Sequence, residues 1–235
     1  MAIGAAAYLS MQLTGSSGNE RYPPQKGNSM SEQVKVAVVY YSSTGTVYEL
    51  AKSIVEGAEK AGAEVRLRKV HELAPDEAIA ANAGWASHAA EAQYVAEATA
   101  EDILWADAVI FGSPTRFGNI ASQLKQFIDT LGGPWSQGQL ADKVYSGFTA
   151  TSTAHGGQES TILALYNTVH HFGGIVVAPG YTDPIKFADG NPYGTSHIAG
   201  HGDLPITGTT RQAAAYQGAR VVKIAAALKA GLHAS

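Results

Sequence analysis

The chain contains no cysteine among its 235 residues. Disulfide bridges, thiolate catalysis and cysteine-ligated zinc sites are therefore excluded, and we expect a cytoplasmic protein. Charged residues are also scarce, at 15% against about 25% in an average soluble protein, which favours an oligomer with apolar subunit contacts. The formal net charge of −4 gives no electrostatic reason to expect nucleic acid or an anionic membrane as a partner.

The chain also lacks the apolar run of about 20 residues that a membrane-spanning helix needs, so no membrane insertion is expected. Residues 1–30 begin with a mildly apolar stretch that lacks the preceding positive charge of a signal peptide, and they continue into Gly-, Ser- and Pro-rich sequence typical of a linker. We predict that residues 1–30 are a disordered leader, or an extension of cloning or upstream origin. Residues 31–235 have the length of one α/β domain.

Strand and helix patterns alternate along this domain. Valine-rich residues 34–41 predict a buried strand, and further strands are predicted at 63–70, 107–112, 143–148 and 174–178. Alternation with right-handed crossovers predicts a doubly wound, five-stranded parallel sheet with helices on both faces. Two inserts interrupt the pattern. Residues 71–100 are predicted to form a loop with helical pieces, and residues 181–205 a long Gly- and Pro-rich loop without regular structure.

A hydroxyl-rich turn, Ser42-Ser-Thr-Gly-Thr46, joins the first strand to the first helix. A helix N-terminus offers unpaired N–H groups and the positive end of the helix dipole, which together suit a phosphate. Neither the Gly-Lys-Ser/Thr of a nucleoside-triphosphate loop nor the G-x-G-x-x-G dinucleotide fingerprint is present. A mononucleotide loop of the flavodoxin type and an ordinary hydroxyl helix cap both remain open.

Two more polar loops, at 113–118 and 149–157, follow buried strands. Ligands of parallel sheets bind outside the carboxyl ends of the strands, so we expect all three loops to meet at one edge. Segment 114–117 could run beside a planar ring, with Arg116 opposing negative charge. The alternative for residues 113–118 is a surface turn with a solvated arginine, and the alternative for residues 149–157 is a flexible surface loop. No nucleophile elbow is present, and the strand ends lack the acidic residues of a phospho-acceptor receiver domain.

Several aromatic and histidine residues are further candidates. Trp135 follows Gly132-Gly-Pro, and the two glycines are predicted to end the preceding helix. Trp135 is therefore expected outside the core, either stacked on a planar substrate or anchoring a subunit contact. His170-His171 end a helix, where the dipole favours histidine, so they either cap it or reach a ligand. His155, His197 and His201 lie in glycine-rich loops; a metal site would need closer spacing and carboxylate ligands beside the histidines, so none is predicted.

Several of these motifs together resemble the WrbA family of flavodoxin-like NAD(P)H:quinone oxidoreductases. The matching pieces are Val38-Val-Tyr-Tyr-Ser-Ser-Thr-Gly-Thr46, Gly112-Ser-Pro-Thr-Arg-Phe-Gly-Asn119, Gly132-Gly-Pro-Trp135, Gly156-Gly-Gln-Glu159, His170-His171, Pro192-Tyr-Gly194 and Tyr216-Gln-Gly218. The resemblance implies tightly but non-covalently bound FMN, NADH or NADPH as the hydride donor, and a quinone as the acceptor. It also implies a homotetramer with active sites shared between subunits.

The resemblance carries the family's site residues onto this chain. The implied FMN-binding residues are Ser42, Ser43, Thr44, Gly45, Thr46 and Val47, then Pro114, Thr115, Arg116, Phe117 and Gly118, then Thr149, Thr151, Ser152, Thr153, His155 and Gly156, with His170 also at the flavin. Thr44 and Trp135 would contact the nicotinamide and the substrate, respectively. The flavin carries the chemistry, and His170 is the one candidate catalytic side chain. Thr44 stands where the family often has Tyr, and Thr153-Ala-His155 replaces a glycine-rich run.

The predicted reaction is a ping-pong, two-electron reduction of a quinone through hydride transfer at flavin N5. Two alternatives remain open. A one-electron carrier of the flavodoxin type would normally have a more acidic docking face than a net charge of −4 provides. A regulatory protein that uses the flavin fold as a binding surface would show negligible turnover.

Overall fold

A computed structural model of the chain describes residues 33–232. The predicted extension at residues 1–30 lies outside the described residues. The strands are β1 Lys35–Tyr40, β2 Glu64–Lys69, β3 Ala108–Arg116, β4 Asn119–Ile120, β5 Val144–Thr151, β6 Ile175–Val176 and β7 Ser196–Ile198. The α-helices are α1 Thr46–Lys60, α2 Asp76–Ala80, α3 Ala83–Glu91, α4 Ala100–Trp105, α5 Ser122–Asp129, α6 Gly132–Ser136, α7 Gln158–Phe172, α8 Pro184–Asp189 and α9 Gly208–Leu232, and a 3₁₀ turn spans Ala92–Tyr94.

Five strands form a parallel sheet in the order β2-β1-β3-β5-β6, which confirms the predicted five-stranded core. Side chains alternate along a strand, and the buried side chains of β1 divide between two apolar clusters. Val36, Val38 and Tyr40 pack in the cluster that contains α1 and α9, whereas Ala37 and Val39 pack in the cluster that contains α5 and α7. Helices therefore cover both faces of the sheet, as predicted.

Helices α1 and α9 contact each other through their backbones. A Cβ at Gly57 would lie 1.9 Å from the carbonyl oxygen of Ala215, and one at Gly218 would lie 2.2 Å from that of Ile54. Only glycine fits at either position, because any other residue would place its Cβ inside the opposite helix. This contact fixes the position of α1, whose first turn forms part of the site described below.

The central strands extend further than the sequence predicts. β3 continues through Arg116 and turns back as the antiparallel strand β4, while β5 continues to Thr151. Pro114 is tolerated inside β3 because β1 no longer pairs with β3 beyond Gly112, so the missing N–H of proline leaves no ladder bond unmade. Residues 113–116 of the predicted loop at 113–118, and residues 149–151 of the predicted loop at 149–157, are thus extended strand.

The insert at 181–205 contains helix α8 and strand β7, so the prediction that it lacks regular structure was wrong. β6 pairs only with the first residues of β5, and β7 pairs with its last three, Thr149–Thr151. A strand of three residues leaves no periodic signal in the sequence. Gln217 of α9 secures the insert, since its side chain accepts from the Thr195 N–H (2.7 Å) and donates to the Gly147 carbonyl oxygen (2.8 Å).

Shorter elements of the structure agree with the sequence-based expectations in one case and differ in two. The glycines at 132 and 133 do not end the preceding helix: α5 ends at Asp129, and the glycines begin the short helix α6. Ile120, which the spacing of apolar residues 120, 124, 127, 128 and 131 would place on one helix face, lies instead in β4. The insert at 71–100 contains α2, α3 and the 3₁₀ turn, as expected for a loop with helical pieces. None of the helices within residues 33–232 combines the length and apolar character needed to cross a membrane.

Candidate functional site

The turn between β1 and α1 leaves the first turn of the helix without a side-chain cap. Gly45 is the N-cap residue, and its φ of 95° is a left-handed conformation that favours glycine. The Ser42 hydroxyl accepts from the N–H of Gly45 (3.1 Å), and no side chain bonds to the helix N–H groups that follow. Helix α1 therefore lacks the ordinary hydroxyl cap that the sequence left open. The N–H groups of Thr46, Val47 and Tyr48 remain available to a ligand.

A cavity of about 230 Å³ opens in front of this turn. It brings together the turn, the end of β3, the end of β5 and a segment of the second insert. The lining residues are Ser42, Ser43, Thr44, Thr46, Val47, Pro114, Thr115, Arg116, Ala150, Thr151, Ser152, Ala199, Gly200, His201 and Gly202. The three predicted loops and a fourth segment, all far apart in the sequence, thus meet at the carboxyl ends of the strands.

The turn between β3 and β4 presents a cation and an aromatic ring beside the cavity. The Arg116 guanidinium donates to the carbonyl oxygen of Thr115 (2.9 Å) and reaches the Ser43 hydroxyl (3.5 Å). Phe117 is fully exposed and has a φ of 54°, a rare conformation for a bulky residue. Gly118 lies behind this turn, where its N–H donates to the Thr115 hydroxyl (3.1 Å).

The third predicted loop contributes fewer residues than expected. Thr149 is fully buried, and its hydroxyl donates to the Ser113 carbonyl oxygen (2.7 Å), so it joins β5 to β3 behind the cavity. Thr151 and Ser152 line the cavity. Thr153, His155 and Gly156 lie in the following turn and are not among the lining residues.

The segment Ala199–Gly202, which the sequence did not indicate as part of the site, forms another wall. The N–H of Ala199 donates to the carbonyl oxygen of Thr151 (2.7 Å). Gly202 packs against the phosphate-loop candidate, because a Cβ there would lie 2.9 Å from the Thr44 hydroxyl oxygen. The only sequence signal was the unusual length of the 181–205 insert.

Sequence reasoning also missed Glu72, a carboxylate that joins the first insert to the site. Burial raises the pKa of this carboxyl, but the hydrogen bonds it accepts lower the pKa more, to below its ordinary value. These bonds come from the Tyr41 hydroxyl (2.9 Å), the Trp85 indole N–H (3.2 Å), the Gln123 amide (2.9 Å) and the backbone N–H groups of Leu73 (2.9 Å) and Ala74 (3.0 Å). Tyr41 directly precedes the phosphate-loop candidate, so Glu72 fixes the start of that turn.

His170 and Trp135 lie away from the cavity within one chain. Helix α7 starts beside the site at Gln158 and extends for 15 residues, or about 22 Å, so His170 is at its far end. Trp135 is 51% exposed, and its indole N–H donates to the carbonyl oxygen of His171 (2.7 Å). A role for either residue at the site stays a prediction that requires a neighbouring subunit. Residues 33–232 contain no cluster of three or more His, Asp or Glu that could hold a metal ion.

The sheet order, the uncapped turn after β1 and the cavity at the strand ends define the class: this is a flavodoxin-like α/β protein. Comparison with known proteins identifies the family within that class. The chain belongs to the NADPH-dependent FMN reductase family, whose model matches residues 34–183.

Relatives of known name cover most of the chain. It is 45% identical over 200 residues to a protein of Deinococcus radiodurans named NAD(P)H dehydrogenase (quinone), covering 85% of this chain and 99% of that protein. A protein of the same name from Sinorhizobium fredii is 45% identical over 202 residues, covering 83% and 98%. Among solved structures, the WrbA-like flavodoxin of Agrobacterium tumefaciens superposes with a TM-score of 0.57 at 26% identity, covering 82% of this chain and 98% of that one. The resemblance to the WrbA family is thereby confirmed.

The fold is also shared with a more distant protein. Oxidised flavodoxin 1 of Bacillus cereus superposes with a TM-score of 0.53 at 16% identity, covering 80% of this chain and 97% of that one. At this identity the comparison concerns the fold alone, and it agrees with the predicted flavodoxin-like architecture.

Proposed function

We propose that the protein is an FMN-dependent NAD(P)H:quinone oxidoreductase. The names of the relatives at 45% identity support the reaction class, and the family match supports a flavin cofactor. The single observation that carries the proposal is the uncapped N-terminus of α1, which opens into a cavity lined by hydroxyl groups. A site of this kind suits the phosphate of a mononucleotide.

The residues present fit that phosphate. The backbone N–H groups of the first turn of α1 and the hydroxyls of Thr44 and Thr46 would bind it, and these hydroxyls make no hydrogen bond within residues 33–232. A phosphate monoester carries a charge of about −1.5 to −2 at neutral pH. The turn itself contains no Lys or Arg, so the positive end of the α1 dipole and these hydroxyls would balance that charge.

The strand ends would hold the remainder of the cofactor. Pro114–Phe117 would lie along the edge of the isoalloxazine ring, and Thr151 and Ser152 would contact the ribityl side. The exposed Phe117 would cover apolar ring surface, and the Arg116 guanidinium would oppose negative charge on the ring. When bound, FMN would supply the redox chemistry of a ping-pong sequence: a hydride from NADH or NADPH at N5 and one proton would reduce it, and two electrons with two protons would then pass to the quinone.

The substrate side of the site would be completed by a second subunit. Trp135 and His170 do not line the cavity of their own chain, yet the family resemblance makes them a substrate contact and a flavin contact. In a homotetramer with shared sites, both would come from a neighbouring copy. The low content of charged residues, 15%, is consistent with extensive subunit contacts.

The test is an anaerobic titration of the FMN-loaded protein, first with NADH or NADPH and then with benzoquinone. Loss of flavin absorbance at about 450 nm, followed by full recovery on adding the quinone, is the expected result. The same titration of FMN-free protein should show no oxidation of the nucleotide. FMN binding without loss of absorbance would reject the oxidoreductase and favour the electron-carrier alternative.

A further inference from the structure

We propose that the segment Ala199–Gly202 is part of the cofactor site and that His201 binds the phosphate of FMN. The inference rests on the proposed function, because it takes FMN as the ligand. It concerns residues outside the three loops that the family resemblance indicates, and it gives the second insert a role in binding.

The segment faces the candidate phosphate loop across the cavity. All four of its residues line the same cavity as Ser42–Thr44, Thr46 and Val47. Gly202 has a φ of +94°, and a Cβ there would lie 2.9 Å from the Thr44 hydroxyl oxygen and 3.2 Å from the Thr44 Cβ. A larger residue would push the two backbones apart. His201 is thereby held next to the turn where the phosphate is expected.

The backbone of the segment is fixed before any ligand arrives. β7 pairs with the end of β5 immediately before it, and the N–H of Ala199 donates to the Thr151 carbonyl oxygen (2.7 Å). The Asp203 carboxylate accepts from the backbone N–H of His201 (2.9 Å) and closes a tight turn. Asp203 is not among the lining residues. Binding would therefore order one side chain and not a whole loop, which lowers the entropic cost of binding.

The charge of the ligand gives His201 its role. The turn 42–47 contains no Lys or Arg, and within the described part of the chain Arg116 and His201 are the only cavity-lining residues that can carry positive charge. Arg116 is already hydrogen-bonded to Thr115 and Ser43. The His201 ring makes no hydrogen bond within residues 33–232. A histidine donates an N–H in either protonation state and adds a positive charge when protonated.

The experiment compares FMN with riboflavin, which has the same ring and ribityl chain but no phosphate. Dissociation constants of the full chain are measured by quenching of flavin fluorescence. We expect His201→Ala to weaken FMN binding about tenfold, or about 1.4 kcal/mol, and to change riboflavin binding less than about twofold. His201→Arg should restore FMN affinity. The matched control is His71→Ala, an exposed histidine outside the cavity, which should change neither constant.

Three results would overturn the inference. Equal weakening of FMN and riboflavin would mean that His201 shapes the cavity and does not contact the phosphate. Unchanged FMN affinity in His201→Ala would remove the residue from the site while leaving the proposed function intact. Wild-type protein that binds neither flavin would refute the proposed function itself, and the phosphate assignment with it.

Discussion

Glu72→Gln should destabilise the protein and loosen the start of the phosphate-loop turn. The Glu72 carboxylate accepts five hydrogen bonds, two of them from backbone N–H groups. Gln has one acceptor oxygen, and its NH₂ group would face donors. The Tyr41 hydroxyl can rotate to accept, but the Trp85 indole N–H is a donor only. At least one hydrogen bond is lost, and the remaining bonds lose their charge assistance.

The magnitude follows from these contacts. Hydrogen bonds to a charged acceptor contribute about 1.5–3 kcal/mol each, and Glu72 is only half-buried, so solvent screening reduces the sum. We expect a loss of about 2–3 kcal/mol in the free energy of unfolding, or about 4–12 °C in Tm for a domain of this size. Urea unfolding at neutral pH measures it directly. The matched control is Glu97→Gln, which removes an exposed carboxylate paired with His71 and should cost less than about 0.5 kcal/mol.

The loss of stability in Glu72→Gln should also depend on pH. The folded-state pKa of Glu72 lies below its ordinary value, so its contribution is fully present above the unfolded pKa of about 4.3. It is lost as the pH falls through the folded pKa. The difference between wild type and Glu72→Gln should therefore stay constant from neutral pH to about pH 5 and shrink in more acidic solution. A variant as stable as wild type at neutral pH would refute the assignment of Glu72 as the link between insert and site.

Three further predictions concern packing, a buried ion pair and the substrate side. Gly57→Ala should lower the free energy of unfolding by at least about 3 kcal/mol in a urea titration, because the added Cβ would lie 1.9 Å from a carbonyl oxygen of α9. Gly132→Ala is the control and should leave stability unchanged, because a Cβ at Gly132 would meet nothing within 4 Å. Equal losses in the two variants would contradict the close helix contact. Asp189→Asn should lower the free energy of unfolding by about 3–5 kcal/mol, measured by urea unfolding, because it leaves the fully buried Lys186 ammonium without its charge partner. A variant as stable as wild type would mean that Lys186 readily reaches solvent. Trp135→Ala should raise the KM for quinone several-fold while leaving the dissociation constant of FMN unchanged, and an unchanged KM would exclude Trp135 from the substrate site.

Much of the fold followed from strong, local sequence signals. The valine-rich run at β1 and the alternation of strand and helix patterns were sufficient for the five-stranded parallel sheet and its two helical layers. The short strands β4 and β7 were not predictable, since two or three residues carry no period and their pairing depends on partners far along the chain. Gly132 and Gly133 were misinterpreted as a helix end because glycine is common after a helix, yet neither adopts a left-handed conformation here.

The residues of the candidate site were likewise predictable only in part from the sequence. The turn at Ser42–Thr46 and the segment at Pro114–Arg116 were indicated by their place after buried strands, and the structure brings them together. Ala199–Gly202 could not be predicted, because its place at the cavity results from the pairing of β7 with β5 and from the insert's contact with α9. Glu72 carried no motif at all, and its importance is visible only through the five donors that converge on it.

The wall formed by Gly202 also has a consequence for the order of events during protein synthesis. Thr44 and Gly202, which touch across the cavity, are separated by 158 positions (202 − 44). At about 5–20 residues per second, a ribosome takes roughly 8–30 s to span that interval. Throughout that time the nascent chain exposes the turn at residues 42–46 without its opposite wall, and the α9 residue that secures the insert, Gln217, is made later still. Loading of a cofactor is thus expected to follow completion of the chain, so the cellular flavin supply would act on finished protein.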